Sequence, residues 1–118
     1  ERSFNPTMVI TGTWYRVGTY SYQTNATNTF QIVLATDEIR SFVFLLYNQI
    51  QWTVADSTGE ILGQAGFNAG DEIVFEMLPH SRTSRITELV NISNVAVARL
   101  FVFRVDTDNT NNNSRSMF

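Results

Sequence analysis

His80 is the sole histidine of the chain and stands in the segment LPHSRTSR, beside Arg82 and Arg85. A lone imidazole cannot build a histidine metal cluster, but it can act as a general base near neutral pH. A Ser-His-Asp relay assembles from distant positions. No serine here, however, sits in a GxSxG-type elbow. The plainer reading is a solvated loop histidine. Together, His80, Arg82 and Arg85 form a small basic patch able to meet an acidic partner or a sulfated glycan by charge-assisted hydrogen bonds. They are the candidate partner contact, set against the commoner fate of loop charges, which is simple solvation.

The other reactive residue types are poorly arranged for chemistry. Carboxylates fall mostly at turns: Asp37 with Glu38, Asp56, Glu60, and Asp71 with Glu72. Asp favours turns because its side chain bonds to nearby backbone. The stretch DTDNTN from Asp106 superficially resembles a calcium loop, which needs glycine at its sixth position and glutamate at its twelfth. Those positions hold Asn111 and Met117. GFNAGD, from Gly66 to Asp71, leads into a strand rather than a helix, so it reads as a turn needing positive φ at one or both glycines. Cysteine is absent, which excludes disulfides, thiolate zinc sites and cysteine nucleophiles. Tyr15, Tyr20, Tyr22 and Tyr47 could stack on a sugar, although cross-strand aromatic pairing is the commoner use. No cofactor is implied. Three sequons fit the N-glycosylation pattern: Asn25-Ala26-Thr27, Asn91-Ile92-Ser93 and Asn112-Asn113-Ser114. All three fall between predicted strands or in the tail.

Composition narrows the class. The chain has 118 residues, 43% of them hydrophobic, enough for one core and one domain. Its eleven acidic residues outnumber eight basic ones, for a net charge of −3, which argues against a nucleic-acid binder. No apolar run approaches the ~18 residues of a membrane span. The first residue is Glu1 and no signal peptide opens the sequence, which reads as an excised domain or a processed product.

The elements that must position these residues repeat with a period of two. Strands are expected at Thr7–Thr11, Thr13–Tyr22 (interrupted by Gly18), Thr29–Thr36, Ser41–Tyr47, Gln49–Ala55, Glu72–Leu78 and Phe101–Val105. Alternation puts Ile50, Trp52 and Val54 on the core face, with Gln51 and Thr53 outward. It likewise groups Ile73, Phe75 and Met77. Asp37–Arg40 suits a four-residue hairpin loop. Asn48, alone or with Gln49, reads as a second tight turn, giving a three-stranded meander from Thr29 to Ala55. Asp56–Glu60 reads as a turn, and Ile86, Leu89 and Val90 as a short helical turn. The fold class is all-β: an antiparallel two-sheet sandwich or barrel-like domain of eight or nine strands, with short helical turns at most. The domain spans 1–106, and the polar segment 107–118 is a tail or linker.

In order along the chain, TGTWYRVGTY, NTFQIVLATD, RSFVFLLY, IQWT, QAGFNAGD, LPHSRTS, SNV and FVFRVD resemble the NIDO domain, the module found near the amino end of nidogens. The likeness runs from about Thr11 to Asp106. Members often carry glycine where this chain has Glu38-Ile39, and LPGS where it has His80. The resemblance implies an extracellular module, secreted or in the ectodomain of a membrane protein, with a role in adhesion or matrix assembly. It carries over no catalytic residue and no defined ligand. The expected function is therefore a non-enzymatic adhesion or matrix-assembly module of a larger chain. Its partners would be matrix or cell-surface proteins, with the isolated domain a monomer. The alternative is a glycan-binding, lectin-like domain.

Overall fold

The computed structural model describes residues 3–20, 24–54 and 58–107. Six strands occupy them: β1 (Met8–Val17), β2 (Asn28–Thr36), β3 (Ser41–Ile50), β4 (Gly66–Asn68), β5 (Phe75–Met77) and β6 (Leu100–Arg104). A 3₁₀ helix spans Ser84–Val90. β1, β2, β3 and β6 form one antiparallel sheet in that order, and β4 and β5 form a second, two-stranded one. The all-β class therefore holds, as two sheets with no closed barrel. No helix among the described residues is long and apolar enough to cross a membrane.

β2 and β3 are rich in β-branched and aromatic residues, which favour a pleated, half-buried surface. The loop between them is the expected one at Asp37–Arg40. Asp37 Oδ1 accepts from the backbone N–H of Ile39 and Arg40 at 3.1 and 2.6 Å. Its Oδ2 takes Arg40 Nε and Nη2 at 3.1 and 2.7 Å. These donors, led by the Arg40 backbone, hold the Asp37 carboxyl below its ordinary pKa. Glu38, at φ 71°, sits in the left-handed region that favours glycine.

The second expected turn does not form. At Asn48 the β2–β3 register shifts, with Phe30 opposite Tyr47 and Thr29 opposite Gln49. Asn48 is the extra residue of a β-bulge, and β3 continues to Ile50. Gln51–Thr53 then leave the sheet, and Val54 makes only an isolated bridge to Leu62. The strand expected at Gln49–Ala55 is thus the end of β3 followed by irregular chain, with Ala55 outside the described residues. The two amino-terminal strands are likewise one, since β1 runs through Gly12. The meander is β1–β2–β3, and among the described residues six strands stand where eight or nine are expected.

Packing explains the layers. The face bearing Val43, Leu45, Phe101 and Phe103 meets Ala65, Leu78, Ile86 and Leu89 from the second layer. Phe67 of β4 sets its ring edge-on against Phe103 at 5.4 Å. Thr83 caps the 3₁₀ helix, its Oγ1 accepting from the Arg85 N–H at 3.2 Å, and Ile86 and Leu89 point inward. Gly70, at φ 84°, lies in the turn after β4, whereas Gly66, at φ 152°, opens β4 itself, so the first half of the expected GFNAGD turn is strand. In β5 the faces are opposite to expectation. Pairing Phe67 with Glu76 turns Phe75 and Met77 away from the core, 54% and 42% exposed, and Ile73 is 79% exposed. Leu78, one residue on, supplies the buried contact.

The far end of the sheet is closed by ions. Asp106 accepts the Ser41 N–H at 2.8 Å and takes Arg104 Nε and Nη2 at 3.0 and 2.9 Å. Arg104 is the larger cause that lowers the Asp106 carboxyl to about 2, from an ordinary 3.8. A depressed carboxyl stabilises the fold above its unfolded pKa, and that contribution drains away as pH falls from about 4 toward 2. Denaturant melts at about pH 5 and about pH 2 should show less acid loss in Asp106→Asn than in the parent chain. Equal losses would refute this assignment.

Candidate functional site

A row of rings crosses the core face of the large sheet. Trp14 of β1 stacks on Phe30 of β2, with centroids 5.1 Å apart and planes at 16°. Phe30 lies 6.3 Å from Tyr47 of β3, which meets Phe101 of β6 edge-on at 6.2 Å. The register supports the row, pairing Trp14 with Phe30 and Phe30 with Tyr47. Burial falls steeply along it: Phe101 is 2% exposed and Trp14 45%. The second layer covers β3 and β6 and stops short of β1.

A cleft of about 490 Å³ opens where that cover ends. Its walls include Trp14, Phe30, Ile32, Tyr47, Ile50, Trp52 and Ile86, and the segment Leu62–Gly66 forms the facing side. Both tryptophans of the chain line it. Ile50 and Trp52 thus face the core side, as alternation implies, although no strand carries Trp52. Asn28, 7% exposed, holds Trp52 in place instead. Its Oδ1 accepts the Gln51 and Trp52 N–H at 2.7 and 3.1 Å, and its Nδ2 donates to the Trp52 carbonyl at 3.0 Å. The Trp52 indole N–H donates to the Val17 carbonyl at 2.9 Å. Gln31 and Gln64 are also engaged, with Thr13 Oγ1 at 2.8 Å and with Arg82 Nη2 at 3.2 Å. Burial raises the Tyr47 hydroxyl to about 12, so it stays neutral. The cleft therefore offers aromatic faces and aliphatic edges, and no charge on its walls.

The basic patch stands at one rim. His80 Nε2 lies 3.3 Å from Glu88 Oε2, and Arg85 grips the same carboxylate through Nε and Nη2 at 2.8 and 3.0 Å. Arg85 is the main cause that lowers the Glu88 carboxyl. Glu88 thus engages two of the three residues of the candidate patch, a pairing invisible in the alternation pattern. The signal that locates it is helical spacing, since Arg85 and Glu88 sit three apart on the 3₁₀ helix. Arg82 points to Gln64 at the cleft. His80 has φ 63° and Arg82 φ 60°, both in the left-handed region. Glycine in the LPGS form of the motif suits the His80 position for that reason.

Among the sequons, Asn25 is exposed, and Asn91 is the exposed residue that ends the 3₁₀ helix, its N–H donating to the Glu88 carbonyl at 2.8 Å. Asn112 lies outside the described residues, with the rest of 108–118. The tyrosines do not gather: Tyr47 joins the ring row, Tyr15 and Tyr20 are 73% and 100% exposed, and Tyr22 lies outside the described residues. The cleft was not foreseen from sequence. Alternation marks Trp14, Phe30 and Ile50 as one-faced, and only the layer packing leaves that face uncovered. Among the described residues, no group of three His, Cys, Asp or Glu could hold a metal ion.

The sequence profile of the nidogen-like domain matches residues 1–107. Alpha-tectorin of Gallus gallus is 34% identical over 113 residues, covering 88% of this chain and 5% of that protein. Nidogen of Drosophila melanogaster is 30% identical over 122 residues, covering 98% of this chain and 9% of that protein. Protein mesh of Bombyx mori is 35% identical over 101 residues, 75% of this chain and 6% of that protein. The chain thus spans less than a tenth of the length of these relatives. No solved structure matches. Nidogens and alpha-tectorins are extracellular matrix proteins, and their shared module is an extracellular one. This chain belongs to the nidogen-like (NIDO) domain family.

Proposed function

We propose that this domain is a non-catalytic adhesion or assembly module within a larger extracellular chain. One observation carries the reading: the family match spans residues 1–107, and in the matrix relatives the module is a small part of a long protein. Such architecture suits contacts that are weak singly and add through multivalency. The contact of His80 with Glu88, 3.3 Å, supports a structural use for that residue. Arg82, engaged by Gln64 rather than by a carboxylate, is the cation of the patch best placed to meet an acidic partner. Exposed Asn25 and Asn91 are proposed glycan carriers.

The test uses the chain secreted from eukaryotic cells, as monomer and as an artificial multimer, on matrix laid down by cells. The multimer should bind at least tenfold more strongly than the monomer, and Arg82→Ala should weaken it without altering the melt. Mass spectrometry of the same material should find glycans at Asn25 and Asn91. Failure of the multimer to bind, or turnover of a matrix component that vanishes in His80→Ala, would overturn the reading.

The aromatic cleft favours one second reading, a bound saccharide stacked on Trp14 or Trp52. Because both tryptophans line the cleft, their fluorescence reports its occupancy. Saturable quenching by a free saccharide would establish the lectin reading. Silence at millimolar sugar accords with the adhesion module.

A further inference from the structure

The two edges of the large sheet are treated differently. At β6, Asn94 stands in for a neighbouring strand: its Nδ2 donates to the Val102 carbonyl and its Oδ1 accepts the Val102 N–H, both at 2.9 Å. β1, at the other edge, has β2 as its one strand partner among the described residues. It is ten residues long and carries no proline or lysine, and its one charge, Arg16, lies near its end. Soluble proteins normally blunt such an edge with charge, proline or a short strand. Here Met8, Val9, Ile10, Trp14 and Tyr15 instead remain 45–73% exposed.

We propose that β1 is a self-pairing edge, and that two copies join antiparallel about a two-fold axis at Gly12 to make one continuous eight-stranded sheet. A two-fold contact must be self-complementary, and this register meets that demand. On the core-side face it sets Trp14 of each copy against Ile10 of the other, with Gly12 facing Gly12. A ring thus meets an aliphatic chain twice, and at the axis Gly12 adds no side chain of its own beneath the Trp14 ring, which lies 3.4 Å from where a Cβ would stand. On the opposite face Thr11 meets Thr13. The same register sets Met8 opposite Arg16, beyond the bulge that follows Trp14, whereas shifting the axis to Thr13 or Thr11 would part Trp14 from Ile10 and set it against Gly12 or Met8. The second copy's Ile10 extends the ring row past Trp14 and closes the open end of the cleft.

Buried aromatics cover ~150–250 Å² each. Trp14 and Tyr15 are the aromatics among the five part-exposed side chains of each copy, so pairing all of them removes on the order of 1,000 Å² in total at most, just under the span of specific interfaces. The dimer is correspondingly weak, with a Kd of about 10–100 µM. This reverses the expectation of a monomer. It deepens the matrix-assembly reading by naming a second copy as a partner, and rests on that reading only for its biological use. A chain that binds matrix but never self-pairs defeats this proposal alone.

The test is sedimentation velocity on the 118-residue chain up to about 1 mM, a hundredfold range around the expected Kd. The expected result is a reversible monomer–dimer equilibrium. Ile10→Lys, which places a charge on an exposed edge position, should weaken it at least tenfold with unchanged circular dichroism and melting. The register is read with thiols, because the chain has no cysteine. Directly opposed Cα atoms of an antiparallel pair lie ~4.5–5.5 Å apart, within disulfide reach. A mixture of Thr11→Cys and Thr13→Cys chains should cross-link at least fivefold more than either alone. A monomer at every concentration, a dimer indifferent to Ile10→Lys, growth beyond two copies, or cross-linking equal in the separate variants would each overturn the proposal.

Discussion

Gly66→Ala should cost at least ~3 kcal/mol or prevent folding outright. Gly66 opens β4 opposite Met77. An added Cβ would run into the carbonyl oxygen of Glu76, and it would lie 3.2 Å from both the Glu76 carbonyl carbon and the Met77 Cα. Every one of these atoms is backbone of the paired strand, so no change of rotamer relieves the clash. The φ of 152° adds strain for any residue with a side chain. The short β4–β5 ladder would have to part, taking with it the Leu78 N–H to Ala65 carbonyl bond of 3.0 Å and the seat of Phe67 on Phe103. Gly18→Ala is the control. Nothing lies within 4 Å of its added Cβ and its φ is not positive, so it should stay within about 0.5 kcal/mol of the parent. Urea melts of both variants decide the matter, and a Gly66→Ala chain within about 1 kcal/mol of the parent would refute the packing described.

Phe101→Ala should cost ~3–5 kcal/mol, a large part of the ~5–15 kcal/mol that holds a domain of this size together. The ring is 2% exposed and sits in the cluster with Val43, Leu45, Leu89 and Phe103, edge-on to Tyr47. Removing it deletes apolar burial and leaves a cavity walled by β3 and the 3₁₀ helix, which cannot both collapse into it. Trp14→Ala, at the other end of the same ring row, should cost under about 1.5 kcal/mol, because a side chain 45% exposed loses less on truncation. The contrast between the two urea midpoints, at equal m-values, measures where the second layer ends. Similar losses at both positions would mean that β1 is covered as thoroughly as β6.

Local structure is legible in the residues alone. Period-two alternation in NTFQIVLAT and FVFRV specifies strands, because a half-buried pleat tolerates little else. Asp37 marks its own hairpin, since one carboxylate can satisfy the turn N–H groups that follow it. Gly66 and Gly70 announce positive φ because other residues avoid it. The words TGTWYRVGTY, NTFQIVLATD and QAGFNAGD carry the family, as motifs of this length do.

Which faces are covered depends on how the layers pack. Alternation cannot distinguish a turn from a bulge, and Asn48 breaks the count: Tyr47 and Ile50 are three positions apart, yet both reach the core side. Trp52 keeps that side through the three hydrogen bonds of Asn28, a contact 24 residues distant in the chain. Ile73, Phe75 and Met77 share a face, but pairing with β4 turns it outward, because Phe67 already occupies the inward side. The cleft and the bare edge of β1 have the same origin. A two-stranded layer and one short helix are too small to cover four strands, and the part left uncovered is the part built from β1.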